Sequence, residues 1–561
     1  METKPQNIAK HVNEFFRSKV KDIRESIENI PPKFSTCQEI MNGKSCRLAL
    51  SHVTLGKVTK LLKNLKTSKS TSIDELDNYV VKVSADIISS PVLHIITLSI
   101  LQSKFPSCWK YGKIIPLHKK DSPLLAKNYR PVTILSPLSK VLERIIFEQL
   151  YNYFTDNHIF HPNLHGYRKF RSTQTALVQM YDRWIKAAAA GQVSGVILLD
   201  LSAAFDLVDP SILLAKLKIY GVGDDVLQWV ESYLTDRQQG VWIDHVLSDF
   251  LPCEVGVPQG SILGPLLFLI FYNDLPYSIR CAVDAYADDS TLSATSEDTQ
   301  GISDILTESC SVVSQWMKAN RLKLNAGKTH LVTVGTAERL RNLHNPVKVE
   351  MEGIQLTESE EKCELLLGVQ VQASLKWHNQ CRFLCKRLQT RLVGLRKLYF
   401  IVQENTRKIL AEGLFNSVLV YCLPLYGGCD KGDLHALQVL QNKAAQVVTK
   451  SPPRSHRDTM YDRLGWLTVQ QLVVYHTVLA IHRIRQVGEP EYLARQLQND
   501  NRNGRIIVPK CKLSLAQKSF CMRGADTWNS LPASIRQSGT LREFKMKTKS
   551  WIQTNVPRFV Q

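Results

Sequence analysis

Apolar residues recur every three or four positions at Leu138, Val141, Leu142, Ile145, Ile146 and Leu150, which predicts a helix over 138–153 with one buried face. The same period predicts a helix over 172–190, with Ala176, Leu177, Met180 and Trp184 on one side. A charged, periodic stretch at 8–30 runs into Pro31-Pro32, where a helix must stop. Stretches 57–65 and 76–101 read as further helices, with a polar loop (KTSKSTSID) at 66–74 between them. Residues 193–199 break the period. They form a continuous apolar run that ends at Asp200, the pattern of a strand buried on both faces. Shorter strand-like runs lie at 113–117, 241–243, 250–257, 330–334 and 365–371, and helices are expected at 210–220 and 224–234. Ser261 is placed to cap a helix over 262–273. Two β-like runs, 281–285 and 290–295, flank Tyr286-Ala287-Asp288-Asp289, which predicts a hairpin with two carboxylates at its tip. Beyond Ala373 the period is helical, interrupted at Pro452-Pro453 and by a polar linker at 498–505.

Composition narrows the class. The hydrophobic fraction of 44% in 561 residues is ordinary for folded domains. No run reaches the roughly 18 apolar residues of a membrane span; the longest, 262–272, is short and contains Pro265. The first residues (METKPQNIAK) have no apolar signal core. The expectation is an intracellular protein, nuclear and/or cytoplasmic, with no membrane partner. Thirteen scattered cysteines, an odd number, read as reduced thiols and not as a disulfide framework. The net charge of +20 is uneven. Residues 373–561 hold 30 Lys and Arg against 11 Asp and Glu, whereas residues 1–372 hold 41 against 40. A basic third of this kind points to a polyanion such as nucleic acid; the plainer alternative is a solvated helical surface.

The candidate chemistry lies in the carboxylates. Adjacent acids repel, and exposing Asp288 and Asp289 together on a hairpin is economical if they hold a divalent cation; the alternative is a polar turn. Asp200, at the end of a buried strand, can join them if the strands are neighbours. Three carboxylates so placed suit two-metal phosphoryl transfer. Phe205 follows in LLDLSAAFD, and GVPQGS at 256–261 is a loop in which glycine allows close backbone approach. His378, Cys381 and Cys385 have no fourth ligand at zinc-motif spacing and read better as part of a basic helix.

In order and spacing, Asp200 to Phe205, Gly256 to Ser261 and Tyr286 to Asp289 resemble the polymerase motifs of reverse transcriptases. WKYGKIIPLHKK (109–120), NYRPVTIL (128–135), HGYRKFRST (165–173), GSILGPLLF (260–268) and LNAGKT (324–329) resemble successive blocks of the non-LTR, LINE-type retrotransposon enzymes. LGWL (464–467) and WNSLP (528–532) resemble the jockey/CR1-like branch. The resemblance implies RNA-directed DNA synthesis with Mg²⁺, or Mn²⁺ as a substitute. It makes Asp200, Asp288 and Asp289 metal ligands, with Leu201 lending a backbone carbonyl. Phe205 would be the steric gate that excludes a 2′-OH. Gln259 and Gly260 would line the nucleotide and template pocket, Arg130 with Lys119 or Lys120 would contact triphosphate or template, and Lys328 would be a candidate general acid for pyrophosphate. Expected partners are an RNA template, a DNA primer and dNTPs. Relatives of this type usually carry an endonuclease ahead of the polymerase, and the residues before the first block leave no room for one, so a separate endonuclease source is expected.

The expected fold is an α+β right-hand polymerase with an antiparallel catalytic sheet. Residues 1–96 would be an N-terminal helical extension, 97–372 fingers and palm, and 373–561 a basic helical thumb and C-terminal region. The rival readings are a catalytically silent relic that binds RNA and, more distantly, an intron-maturase-like splicing aid.

Overall fold

The computed structural model describes residues 4–67, 71–356, 358, 362–452, 455–500, 504–508, 511 and 513–558. Positions 68–70 of the polar loop, Pro453, and positions 501–503 of the polar linker lie outside the described residues. The chain is a mixed α/β structure of two compact units. One comprises Met1–Tyr167, Leu199–Ser290 and Glu308–Lys328; the other comprises Arg168–Leu198, Thr291–Thr307 and Thr329–Gln561. The strands that matter for the site are β1 (Tyr111–His118), β2 (Tyr129–Ile134), β3 (Val193–Leu199), β4 (Arg237–Ile243), β5 (Ala282–Tyr286), β6 (Asp289–Ser296) and β7 (His330–Val334).

In the first unit β1 pairs antiparallel with β2, from Lys113↔Ile134 to His118↔Tyr129, and parallel with β4, from Tyr111↔Gln238 to Ile114↔Val241. Helix Pro5–Glu25 lays Ala9, Val12 and Phe16 on Ile114 and Val241. It stops at Glu25, short of the expected residue 30, because no residue from 26 to 34 is buried to offset further ordering. The 76–101 stretch is two helices, Asn78–Val83 and Ala85–Leu101. They part at Ser84, whose hydroxyl donates back to the Val80 carbonyl (2.7 Å). Helix Pro137–Asp156 buries Val141, Leu142, Ile145, Ile146 and Leu150, the stripe expected from its period.

In the second unit β7, β3 and β6 are neighbours in that order, with β7 antiparallel to β3 from His330↔Leu198 to Val334↔Ser194. Helix Thr173–Ala189 begins with a capping box between Ser172 and Thr175. The expected closing strand at 365–371 is instead a separate hairpin, Cys363–Leu366 with Val369–Gln372. Leu367 (φ +46°) and Gly368 (φ +81°) turn it back on itself, as a two-residue hairpin loop with positive φ at both positions requires. The polar linker is likewise not wholly irregular: Asn499–Asp500 pairs with Arg505–Ile506.

The stretch 457–487 is long and apolar enough by composition to cross a membrane, which the sequence reading did not single out, and 61% of its apolar window is buried. It folds as two helices, Arg457–Leu464 and Val469–Val487, divided at Gly465 (φ +63°) and restarted by a Thr468 capping box. Among the described residues every cysteine is a free thiol.

Candidate active site

β3 delivers Asp200. Six of its seven residues are buried and the seventh is half-buried, so the strand cannot slide without exposing them. Asp200 follows as a half-buried residue. Its carbonyl accepts from the Asn325 N–H (3.0 Å), and the next residues, Leu201 and Ser202, pair with Leu324 and Lys323. β5 delivers the other two acids. The tip of the hairpin is Ala287-Asp288, not the Asp-Asp pair, because Ala287 takes the left-handed conformation (φ +61°) and Asp289 already opens β6. Both carboxylates are nevertheless exposed. Beside the turn the hairpin is held by a Tyr272–Ser290 hydroxyl contact (2.8 Å).

The three acids share one electrostatic environment. Loss of hydration first, then the charges of Asp288 and Asp200, push the Asp289 carboxyl above its ordinary value, while Arg130 and Lys119 pull it back. Partial burial first, then Arg130, Lys120 and Lys328, push the Lys119 ammonium below its ordinary value, with Asp200 opposing them. Lys119, Arg130 and Lys328 therefore converge with Asp200 and Asp289 although more than two hundred residues separate the first from the last. β1–β2 pairing puts His118 opposite Tyr129 and Leu117 opposite Arg130, and the Lys119 N–H donates to the Asn128 carbonyl (2.8 Å), so Lys119 and Arg130 flank the same end of the ribbon. Among the described residues no group of three or more His, Cys, Asp and Glu is placed to hold a metal ion. Mg²⁺ in phosphoryl-transfer sites is usually held by one or two carboxylates plus substrate phosphate, which this open, mutually repelling set of acids fits.

Beside the acids lies an aromatic and glycine-rich wall. Phe205 is half-buried and stacks on Phe268, with centroids 4.5 Å apart and planes at 29°. Phe268 belongs to helix Gly264–Phe271, shorter than the expected 262–273; its N-cap is Leu263 and not Ser261, which lies before it and accepts from the Gly264 N–H (2.9 Å). The 250–257 strand is also shorter, Leu251–Cys253, because the chain turns at Gly256 (φ +87°). A Cβ at Gly256 would lie 2.7 Å from the Asp206 carbonyl oxygen. The Val257 N–H donates to the Phe205 carbonyl (2.9 Å), and the Gln259 side-chain amide donates to Asp206 Oδ1 (2.6 Å). Burial raises the Asp206 carboxyl, partly offset by that bond and by Lys19. On the far side the Thr133 N–H donates to the Gln259 carbonyl (2.7 Å). Phe205, Gln259 and Gly260 are thus tied to one another and to β2. A cavity of about 500 Å³ opens beside Gln259, with Lys19, Arg24, Gly112, Thr133 and Asp206 in its wall.

The residues that sequence reasoning missed are at 163–167. The sequence assigns no role to the His165-Gly166-Tyr167 triplet within its block. Asn163 accepts from the Ala285 N–H (3.0 Å), and the His165 N–H donates to the Ala285 carbonyl (2.8 Å), so this segment runs alongside β5. His165 Nε2 and Asp284 Oδ1, both buried, stand 3.4 Å apart. Gly166 packs so closely that a Cβ would lie 2.4 Å from the Ala287 nitrogen. Tyr167 then meets Phe205 perpendicularly, centroids 6.1 Å apart. Burial first, and then the Asp288 charge, push its hydroxyl above the ordinary phenol value. A glycine before an aromatic residue was the available signal, but only strand pairing shows what it touches.

His378, Cys381 and Cys385 lie on helix His378–Lys397, as expected, with Cys381 buried and Cys385 half-buried. His378 Nδ1 sits 3.0 Å from Asp433 Oδ1. The bond to Cys429 and then burial drive the Cys381 thiol far above its ordinary value, and burial raises that of Cys385.

Residues 117–388 match the family described as reverse transcriptase (RNA-dependent DNA polymerase). The chain is similar to the probable RNA-directed DNA polymerase from transposon BS of Drosophila melanogaster, 27% identical over 80% of this chain and 50% of that protein. It is also similar to the RNA-directed DNA polymerases from mobile element jockey, 26% identical over 72% of this chain and 45% of that protein for Drosophila melanogaster. For Drosophila funebris the figures are 28%, 71% and 44%. The chain spans about half the length of the curated relatives it matches. The likeness to reverse transcriptases thus covers residues 117–388, where the acids and the glycine loop lie, and the likeness to the polymerases of transposon BS and mobile element jockey extends over 71–80% of the chain.

Proposed function

We propose that this chain is an RNA-directed DNA polymerase that extends a DNA primer on an RNA template. The observation that carries the reading is the convergence of Asp200, Asp288 and Asp289 with Lys119 and Arg130 in one environment, beside the tied Phe205–Gln259 wall. The primer 3′-oxygen forms a bond to the α-phosphorus of a dNTP as the bond to pyrophosphate breaks. Positioning and charge stabilisation supply most of the rate in such transfers. A divalent metal, Mg²⁺ with Mn²⁺ as a substitute, would supply Lewis-acid charge on the reacting oxygens when held by Asp200, Asp288, Asp289 and the Leu201 carbonyl. Lys119 and Arg130 face the triphosphate, and Lys328 is the proton donor for the leaving pyrophosphate. Phe205 lies under the sugar and excludes a 2′-OH. Gln259 and Gly260 support the nascent base pair from the template side. In this reading residues 97–372 act as fingers and palm, residues 373–561 as a basic thumb and C-terminal region, and residues 1–96 as a helical extension.

The test is primer extension on poly(rA) with purified full-length chain. Asp200→Asn, and Asp288→Asn combined with Asp289→Asn, should reduce dNTP incorporation by at least a thousandfold while RNA binding and thermal unfolding stay near wild type. Each change removes charge and leaves core volume intact. Extension at wild-type rate by either variant would refute the site. RNA binding without extension by the wild type would favour the silent RNA-binding reading.

A further inference from the structure

Phe205 is held differently on its two sides. Toward the core it stacks on Phe268, which is 1% exposed and fixed in helix Gly264–Phe271. That side has no room to give. Its other aromatic neighbour is Tyr167, 44% exposed, with the two ring planes at 87° and the centroids 6.1 Å apart. Tyr167 is held there by backbone geometry. Its φ of +57° is a left-handed conformation that a bulky residue adopts only when its surroundings impose it, and such strain gathers at working sites. The surroundings are the catalytic hairpin itself: Asn163 and His165 hydrogen-bond to Ala285, and Gly166 is pressed against the Ala287 nitrogen with no room for a Cβ. The position of the Tyr167 ring is therefore set by the same turn that carries Asp288.

We infer that Tyr167 is a second determinant of sugar discrimination, a positioning residue that braces Phe205 from the solvent side and couples the gate to the carboxylate turn. The inference rests on the polymerase reading above and on Phe205 as the gate. An edge-on aromatic partner restricts rotation of the Phe205 ring, which is what a steric gate needs to refuse one hydroxyl group. The bracing belongs to the ring, so the phenol oxygen is dispensable to it.

The experiment compares wild type, Phe205→Ala, Tyr167→Phe and Tyr167→Ala as full-length chains, reading kcat/KM for a single dNTP and its matched rNTP in one-nucleotide primer extension. Phe205→Ala is the positive control and should raise relative rNTP use. Tyr167→Phe should discriminate within about twofold of wild type. Tyr167→Ala should lose about tenfold in dNTP-over-rNTP preference, the low end of what one small group in a pocket is worth. For a variant too slow to extend, the same ratio is read from the stability of the complex with dNTP or rNTP on a 3′-dideoxy-terminated primer–template. A wild-type ratio in Tyr167→Ala alongside a shifted ratio in Phe205→Ala would overturn the role of Tyr167 alone. Equal losses in Tyr167→Phe and Tyr167→Ala would overturn the bracing mechanism. A wild type that neither extends nor binds either nucleotide on primer–template would remove the polymerase reading, and this inference with it.

Discussion

Gly260 has φ +124°, and a Cβ there would lie 2.3 Å from the Thr133 carbonyl oxygen. Backbone cannot yield that distance cheaply, so Gly260→Ala must either displace the 256–261 loop or strain it by roughly 1–3 kcal/mol. The expected outcome is a fall of at least tenfold in kcat/KM for dNTP, because Gln259 moves with the loop, with RNA affinity unchanged in a binding titration. At this scale much of the site was legible. Asp200, Asp288 and Asp289 were candidates by their chemistry, and Phe205, Gln259 and Gly260 by the resemblance to reverse transcriptases. Tyr167 and Asp206 were not. Nothing in the periodicity ties 167 to 205, or the carboxylate at 206 to the amide at 259; those contacts come from backbone pairing distant in sequence.

Asp209 shows how one residue organises several elements. It caps helix Pro210–Ile219, accepting from the Ser211 and Ile212 N–H groups (3.0 and 3.2 Å). It also takes Arg24 from helix Pro5–Glu25 and Arg321 from beyond helix Thr299–Ala319, each at 2.7 Å. Burial alone would raise its carboxyl; the hydrogen bonds from Ser211, Arg24 and Arg321 outweigh that and hold it down at about 2. A depressed native pKa favours the folded state at pH values above the ordinary carboxylate range. The contribution is roughly 2 kcal/mol at neutral pH and is lost as pH falls from about 4 toward 2. Asp209→Asn should therefore lower amide exchange protection in the first turn of helix Pro210–Ile219 at neutral pH. The gap from wild type should close as pH falls through that window. A constant gap would mean the cap, not the charge, carries the effect. Elements such as Pro137–Asp156 and Thr173–Ala189 were legible because their apolar stripes are complete. The 365–371 and 250–257 stretches were not, because left-handed residues at 367 and 256 interrupt an otherwise strand-like pattern.

Part of the charge excess of residues 373–561 is displayed on the outer face of helix His378–Lys397. Cys381, Leu384, Leu388, Leu392 and Leu395 point inward, while Lys386, Arg387, Arg391, Arg396 and Lys397 are exposed. Arg387 also lies over the Phe383 ring, 5.5 Å from its centroid. If this face grips phosphate, each contact adds about 0.7 to the log–log salt slope on single strands and about 0.9 on duplex DNA. Changing Lys386, Arg387, Arg391 and Arg396 to Glu in the full chain should weaken RNA binding and flatten the slope by two or more, as read by fluorescence anisotropy across a salt titration. An unchanged slope would make the face a solvated surface, the plainer reading of its composition.

Composition, period and motif order determined from sequence which residues are chemically able to act, where most helices run, and where the charge lies. Those are local or additive properties, carried by each residue and its near neighbours. The tertiary structure decided the rest. It gathered the chain into two compact units, each assembled from segments distant in sequence. It brought Lys119, Arg130, Asp200, Asp289 and Lys328 into one field, and set Tyr167 against Phe205. Such proximity depends on register and crossover, and a strand's own sequence records which face is buried but not which distant strand lies beside it.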